Sequence, residues 1–301
     1  MSRLIRVVGS TAVFTLAACA QSGRSSPRVQ PGELPASWYA GGAECKDTPP
    51  FRVHAYNSDF FILRQAACTN FEKPFLYLIF GRERALLLDT GAGAVDLATP
   101  IDTLTRNWLK RTGRPSVELV VAHSHAHGDH VAADSQFVGQ PRTRVVARDT
   151  ASVRWFFGVK DWPEDIGHID LGGRVLDVIP IPGHQPASIA FYDRRTGVML
   201  TGDTFYPGRL YVRDTLEYSR SIDRLSAFAN ERVVVHFLGA HIENRREPGR
   251  DYPEGTVDQP DEHELQLNRA HLFQLDSAVR AMRGRFVRTV LPDFTIWPLT
   301  P

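Results

Sequence analysis

The sequence predicts an α+β fold, with sheets covered by helices, from three observations. Strand-type apolar runs recur along most of the chain, several of them joined by tight polar turns. Helical segments fall between some of these runs without a clean βαβ repeat, so hairpins alternate with crossovers. The 301 residues are 43% hydrophobic and 10% aromatic, enough for a sizeable core in one large domain or two ordinary ones.

At the N-terminus, Arg3 and Arg6 precede an apolar run, Val7 to Ala18, too short to span a bilayer as a stable helix. The run ends in Leu16-Ala17-Ala18-Cys19, which resembles the lipobox of bacterial lipoproteins, where cleavage before the cysteine leaves it lipidated. The expected organisation is a signal peptide over 1–18, a lipid-anchored linker over 19–37 and one domain over 38–301. Gln21 to Ser37 is rich in Ser, Pro, Gly, Gln and Arg, the composition of a flexible linker. An ordinary secretory signal is the alternative. Either way the mature protein is expected outside the cytoplasm, at a membrane surface through Cys19 or secreted. Cys45 and Cys68 are then an even pair, which in an oxidising compartment points to a disulfide, against two buried free thiols. Lys+Arg 35 against Asp+Glu 34 leaves the net charge near zero, which speaks against nucleic acid as a partner.

Phe75 to Phe80 and Ala85 to Asp89 read as strands of a hairpin turning at Gly81-Arg82-Glu83-Arg84. A helix follows, with Thr99 as its cap, Pro100 in its first turn, and Ile101, Leu104 and Trp108 on one face. Val117 to Ala122 is a buried-type strand, and Thr143 to Arg148 is another. Arg174 to Ile181, Ser188 to Tyr192 and Gly197 to Thr201 are three more, the last two joined by Asp193-Arg194-Arg195-Thr196. Ser221 to Asn230 reads as a helix and Val233 to Leu238 as a strand. Leu265, Leu267, Leu272, Leu275, Val279 and Met282 suggest a late helix, and Phe286 to Leu291 a closing edge strand. The polar stretch from Asn244 to Glu264 is long for a loop in a compact domain, and such loops are usually functional or mobile.

Chemistry concentrates in VVAHSHAHGDHVAAD, Val120 to Asp134, directly after a predicted strand. One buried histidine would satisfy a structural role; four histidines and an aspartate within eight positions call for a common partner, a metal. His125 and His127 are two apart, so in extended chain both point to one side. Gly128 permits a sharp turn, after which Asp129 and His130 can face a second ion. Imidazole and carboxylate are zinc ligands, and catalytic zinc sites leave a coordination position open. His123 lies outside this frame and reads as a polar strand end or supporting donor.

Ser124 to His130 resembles the signature of the metallo-β-lactamase superfamily, and the other family motifs occur in order over roughly the whole domain. Asp89-Thr90-Gly91 looks like the early motif whose aspartate supports the site from behind the ligands. Pro182-Gly183-His184, Thr201-Gly202-Asp203-Thr204 and Gly239-Ala240-His241 look like the motifs of the third histidine, the bridging aspartate and the last histidine. The resemblance implies a four-layer αββα sandwich with two divalent metal ions at one edge. His125, His127 and His184 would bind one ion, Asp129, His130 and His241 the other, and Asp203 would bridge them. Competing motifs fail: Asp96 occupies the third glycine position of a dinucleotide loop, and no phosphate loop or serine elbow is present.

Two close divalent ions lower the pKa of a shared water, and the resulting hydroxide attacks an acyl or phosphoryl bond of a small-molecule substrate. Asp129 is placed to orient it or carry a proton. Zinc is the expected metal from the ligand types, although iron or manganese also suits a carboxylate-bridged pair. The resemblance favours a glyoxalase II-like or lactonase-like hydrolase of a small ester, thioester or lactone, because true β-lactamases of the family usually carry Cys or Ser where this chain has Asp203. A β-lactamase and an iron-dependent persulfide oxygenase are the alternatives. Tyr206 sits where some lactonases present a tyrosine to substrate, or it is a packed loop aromatic. Trp155, Phe156 and Phe157 are a pocket wall or, the safer reading, core.

Overall fold

A computed structural model describes residues 4, 29–39, 45 and 48–299. The signal peptide, Cys19 and most of the linker lie outside the described residues. The strands are β1 (Phe51–Asn57), β2 (Phe60–Gln65), β3 (Phe75–Phe80), β4 (Arg84–Leu88), β5 (Glu118–Ala122), β6 (Thr143–Val145), β7 (Gly167–Asp170), β8 (Val175–Pro180), β9 (Ile189–Asp193), β10 (Val198–Gly202), β11 (Arg209–Val212), β12 (His236–Gly239), β13 (Gln266–Leu267), β14 (Thr289–Val290) and β15 (Thr295–Pro298). The helices are α1 (Ala98–Thr112), α2 (Gly128–Val131), α3 (Thr150–Phe157), α4 (Thr215–Glu231) and α5 (Arg269–Met282).

Two six-stranded sheets form, ordered β1-β2-β3-β4-β5-β6 and β13-β12-β10-β9-β8-β7, beside a small sheet β11-β15-β14. Apolar residues on both faces of the central strands explain the layering. Tyr77, Leu86, Leu88 and Val120 of the first sheet meet Val178, Phe191, Val198 and Leu200 of the second in one core. Leu76, Leu78 and Leu87 face outward and are covered by Ile101 and Trp108 of α1. Ile179, Met199 and Phe237 face outward on the other side, beneath Ile222 and Leu225 of α4 and Leu272 and Leu275 of α5. This is the predicted αββα sandwich, built because each sheet must bury both faces.

Several sequence expectations shift. Thr99 does not cap α1; Leu97 precedes the helix and the Gln136 side chain accepts from the Leu97 and Ala98 amides at 3.0 and 2.9 Å. Leu265 and Leu267 precede α5 rather than lying in it. β13 pairs with β12, and Asn268 caps the helix, accepting from Ala270 N at 2.8 Å. The closing strand shrinks to β14, paired with β15, which the sequence reading did not include. β1 and β2, also not anticipated, put the segment before the first expected hairpin into the sheet. Cys45 and Cys68 form a disulfide beside it. Gln30, Glu33 and Ala36, within the stretch read as linker, hydrogen-bond to Arg195, Tyr56 and Arg246 of the domain.

Candidate metal centre

Strand direction gathers the chemistry. β4 runs parallel to β5 and β10 to β12, and β8 reaches the direction of β10 through two antiparallel steps. The carboxyl ends of these five strands therefore open onto one edge, and each leads into a predicted motif. Asp89 follows β4, His123 to His127 follow β5, His184 follows β8, Asp203 follows β10 and His241 follows β12. Gly202, at φ +51°, lets the second sheet close on the first: a Cβ there would lie 2.6 Å from Ser124 Cβ.

Two donor sets result. His125, His127 and His184 converge in one, and Asp129, His130, Asp203 and His241 in the other. In the first, His127 Nδ1 lies 2.9 Å from both His125 Nε2 and His184 Nε2. Asp203 Oδ2 approaches the same two Nε2 atoms at 3.7 and 3.6 Å. In the second, Asp129 Oδ2 lies 3.1 Å from His130 Nε2 and 3.3 Å from His241 Nε2, with Asp203 Oδ1 at 3.4 and 3.3 Å. Ligands about 2.1 Å from a tetrahedral ion stand about 3.4 Å apart, so the spacing in both sets suits zinc-sized ions. One carboxylate thus faces both sets.

The hydrogen-bond pattern supplies the test of fit. His184 Nδ1–H donates to Tyr211 O at 2.8 Å and His241 Nδ1–H to Glu72 O at 3.0 Å, which leaves each Nε2 lone pair aimed at the site. His130 Nδ1–H donates to Asp89 Oδ2 at 2.9 Å. Asp89, at φ +67°, is held by Ser124 N at 2.7 Å and Ser124 Oγ at 2.8 Å. His130 Nε2 and Asp203 Oδ1 are fully enclosed and make no hydrogen bond among the described residues. Buried polar atoms without partners are unfavourable, and a cation between them answers both. The residues fit a divalent metal pair.

The two sets differ electrostatically. Burial pushes the imidazoles of His125, His127 and His184 down. Burial also works against charged His130 and His241, but Asp203, with Asp89 and Asp129 around His130 and Asp129 beside His241, outweighs it and holds both well above the usual range. Burial likewise opposes the Asp203 carboxylate, yet His241, His130 and His125 hold it well below the usual range.

A cavity of about 290 Å³ opens onto both sets, lined by His127, Asp129, His184, Asp203 and His241 together with Glu72, Glu243, Glu254, Arg213, Tyr206 and Tyr211. Tyr211 lies in β11, Arg213 directly follows it, and Glu254 belongs to the long 244–264 segment. Tyr206 reaches the cavity, but its hydroxyl donates to Arg209 O and faces Glu243 Oε2 at 3.3 Å. His123 turns away, Nε2 pairing with Asp134 Oδ1 at 2.8 Å. Phe157 is core, Phe156 packs beside it, and Trp155 is 79% exposed; none lines this cavity. Glu72 and Glu243 escaped the sequence reading. So did the carbonyls of Glu72 and Tyr211, since any residue supplies a carbonyl and no motif marks it.

A hydroxyacylglutathione hydrolase of Aeromonas hydrophila subsp. hydrophila is 26% identical over 169 residues, 54% of this chain and 60% of that protein. That of Chromohalobacter salexigens is 28% identical over 131 residues, 42% of this chain and 49% of that protein, so the chain spans about half to 60% of these relatives. An acyl-coenzyme A thioesterase of Bos taurus is 27% identical over 203 residues, 56% of this chain and 72% of that protein. Among solved structures, a metallo-beta-lactamase from Pontibacter korlensis aligns with TM-score 0.49 and 16% identity over 76% of this chain and 99% of that one. The family model of the metallo-beta-lactamase superfamily matches residues 71–272, a span that runs from the cavity wall at Glu72 into α5 and holds every metal donor. This chain belongs to the metallo-β-lactamase superfamily.

Proposed function

We propose that the protein is a dinuclear metal-dependent hydrolase, zinc-loaded, that cleaves a small ester, thioester or lactone. The observation that carries this reading is Asp203, whose two oxygens face separate donor sets. The similarity to hydroxyacylglutathione hydrolases and an acyl-coenzyme A thioesterase supports an acyl substrate.

When bound, the divalent pair supplies Lewis acidity, polarising an acyl oxygen and making water nucleophilic at neutral pH. The chain itself orients and moves protons. Tyr211 O, Glu72 O and Asp89 hold three imidazoles in the tautomer that presents Nε2. Asp129 lines the cavity with its side chain 20% exposed, so it can take a proton from the attacking water and return it to the leaving oxygen or sulfur. The sequence also supports export and tethering through Cys19, and the Cys45–Cys68 disulfide suits an oxidising compartment; a Cys19→Ser variant is then released from the membrane fraction.

The test compares turnover of a lactone, a thioester, a phosphodiester and a β-lactam by zinc-loaded protein, with Asp203→Asn alongside. Preference for an acyl substrate, lost in the variant, is the expected result. A fastest rate on the phosphodiester or β-lactam, or oxygen uptake with one iron per chain, would overturn it.

A further inference from the structure

The cavity carries a charge pattern beyond its metal donors. Glu243 is paired, since Arg209, which also bonds Asp251, donates to it through Nη2 at 3.0 Å and its backbone amide at 2.6 Å. Glu72 and Glu254 also line the cavity, and among the described residues neither carboxylate accepts a hydrogen bond or joins an ion pair. Arg213, exposed and on the His127 side, is the one arginine or lysine among the described lining residues. Glu72 is half-buried, and its main-chain oxygen accepts from His241 Nδ1 at 3.0 Å, which pins it beside the second donor set. A carboxylate drawn partly out of water without a donor is unfavourable, and a ligand that brings one relieves it.

We propose that this wall selects substrates whose acyl or leaving group is neutral or carries an ammonium, with Glu72 as the specificity-determining residue. Leaving groups bearing several phosphates or carboxylates are disfavoured, because the lining sets Glu72 and Glu254 against Arg213. In what it says of substrates the inference rests on the acyl-hydrolase reading; its test does not.

The test uses two small thiols, 2-mercaptoethylamine and mercaptoacetate, which share a zinc-binding thiol and carry opposite charges on the second group. Their affinities for the full-length, zinc-loaded protein are measured by calorimetry at neutral pH, with Glu72→Gln and Glu72→Lys alongside. Intrinsic differences between the thiols cancel when a variant's affinity ratio is divided by that of the native protein, so the change in the ratio decides. Glu72→Gln lowers the preference for the aminothiol by about tenfold, the size expected for unit charges a few ångströms apart in partly screened surroundings. Glu72→Lys lowers it further, and Glu254→Gln, at the exposed rim, lowers it less. Melting and zinc stoichiometry confirm that each variant is folded and loaded. A ratio that moves less than about twofold in both Glu72 variants overturns the inference. If the ratio moves as expected while no acyl substrate is turned over, the hydrolase reading falls and the wall stands. If acyl substrates are turned over and the ratio stays put, only the wall falls.

Discussion

At Asp203 one carboxylate serves two donor sets, Oδ1 toward His130 and His241, Oδ2 toward His125 and His184. Asp203→Asn is therefore expected to lower bound zinc from two ions per chain and to cut activity by more than the ~100-fold typical of outer-shell losses; elemental analysis beside steady-state rates checks both. Asp89 acts one step back, through His130. Asn tolerates the left-handed backbone at this position, so Asp89→Asn should keep the fold and lower zinc affinity about 10- to 100-fold, read by chelator competition. Lys73 belongs to neither set. Burial, then the neighbouring Arg64, pushes its ammonium down to about 8, and its Nζ reaches only the Phe71 carbonyl at 3.3 Å. A lowered folded pKa for a base means that the unfolded chain binds more protons between about 8 and the ordinary lysine value of 10.5, so burying Lys73 lowers stability fully below that window and the penalty fades as pH rises through it. Lys73→Met should stabilise the protein at pH 7 by up to about 3 kcal/mol and flatten the rise toward pH 10, measured by denaturant titration.

The elements around the site are braced by polar contacts. Arg209 at the head of β11 donates to Glu243 at 3.0 Å, Asp251 at 2.9 Å and Tyr252 O at 2.9 Å, which fastens the start of the 244–264 segment to the small sheet. The same strand carries Tyr211, whose carbonyl orients His184. Arg209→Met leaves two carboxylates without their cation and should destabilise by about 3–5 kcal/mol. Faster limited proteolysis within 244–264 and a raised KM are the accompanying readouts; unchanged proteolysis would show that other contacts hold the segment. α1 is anchored differently: Trp108 stacks on Phe80 at 4.8 Å and its Nε1 donates to Asp59 at 2.9 Å, so the predicted apolar face also carries one specific polar tie.

Across the whole fold, the first sheet supplies His125, His127, Asp129 and His130, and the second supplies His184, Asp203 and His241. Each donor set takes its candidate ligands from both sheets, counting Asp203 for either, so ions bound there would stitch the sandwich along one edge. Removing the metal should loosen that edge. With zinc at about 1,000 times its Kd, binding contributes about 4 kcal/mol, and chelation should lower Tm by about 10 °C. Asp203→Asn should melt near the chelated value and respond little to chelator. A chelator-insensitive Tm in the native protein would mean that the sheets need no such tie.

The seven candidate donors, which the structure brings together, and Asp89 were legible because each is a side chain of distinctive chemistry in a short motif, and the motifs sit at strand ends that apolar periodicity marks. The layering was legible because runs such as FLYLIF and VMLTG are apolar on both faces, and such strands must be covered twice. β1 escaped notice because its alternation does not mark a covered face: in FRVHAYN the apolar Val53 is exposed, while Phe51 and Tyr56 are buried. The late leucines misled because Leu265 and Leu267 satisfy a helical period and a two-residue strand equally well, and pairing with β12 settles which. Local sequence thus determined which residues are candidates for metal chemistry and which face of each element is apolar, since both are properties of side chains and spacing. Folding brought together the two donor sets that the family resemblance implied, and it assigned the carbonyls of Glu72 and Tyr211 to their histidines and Glu72 to the cavity wall. Those depend on distances between segments far apart in the chain, which spacing along it does not encode.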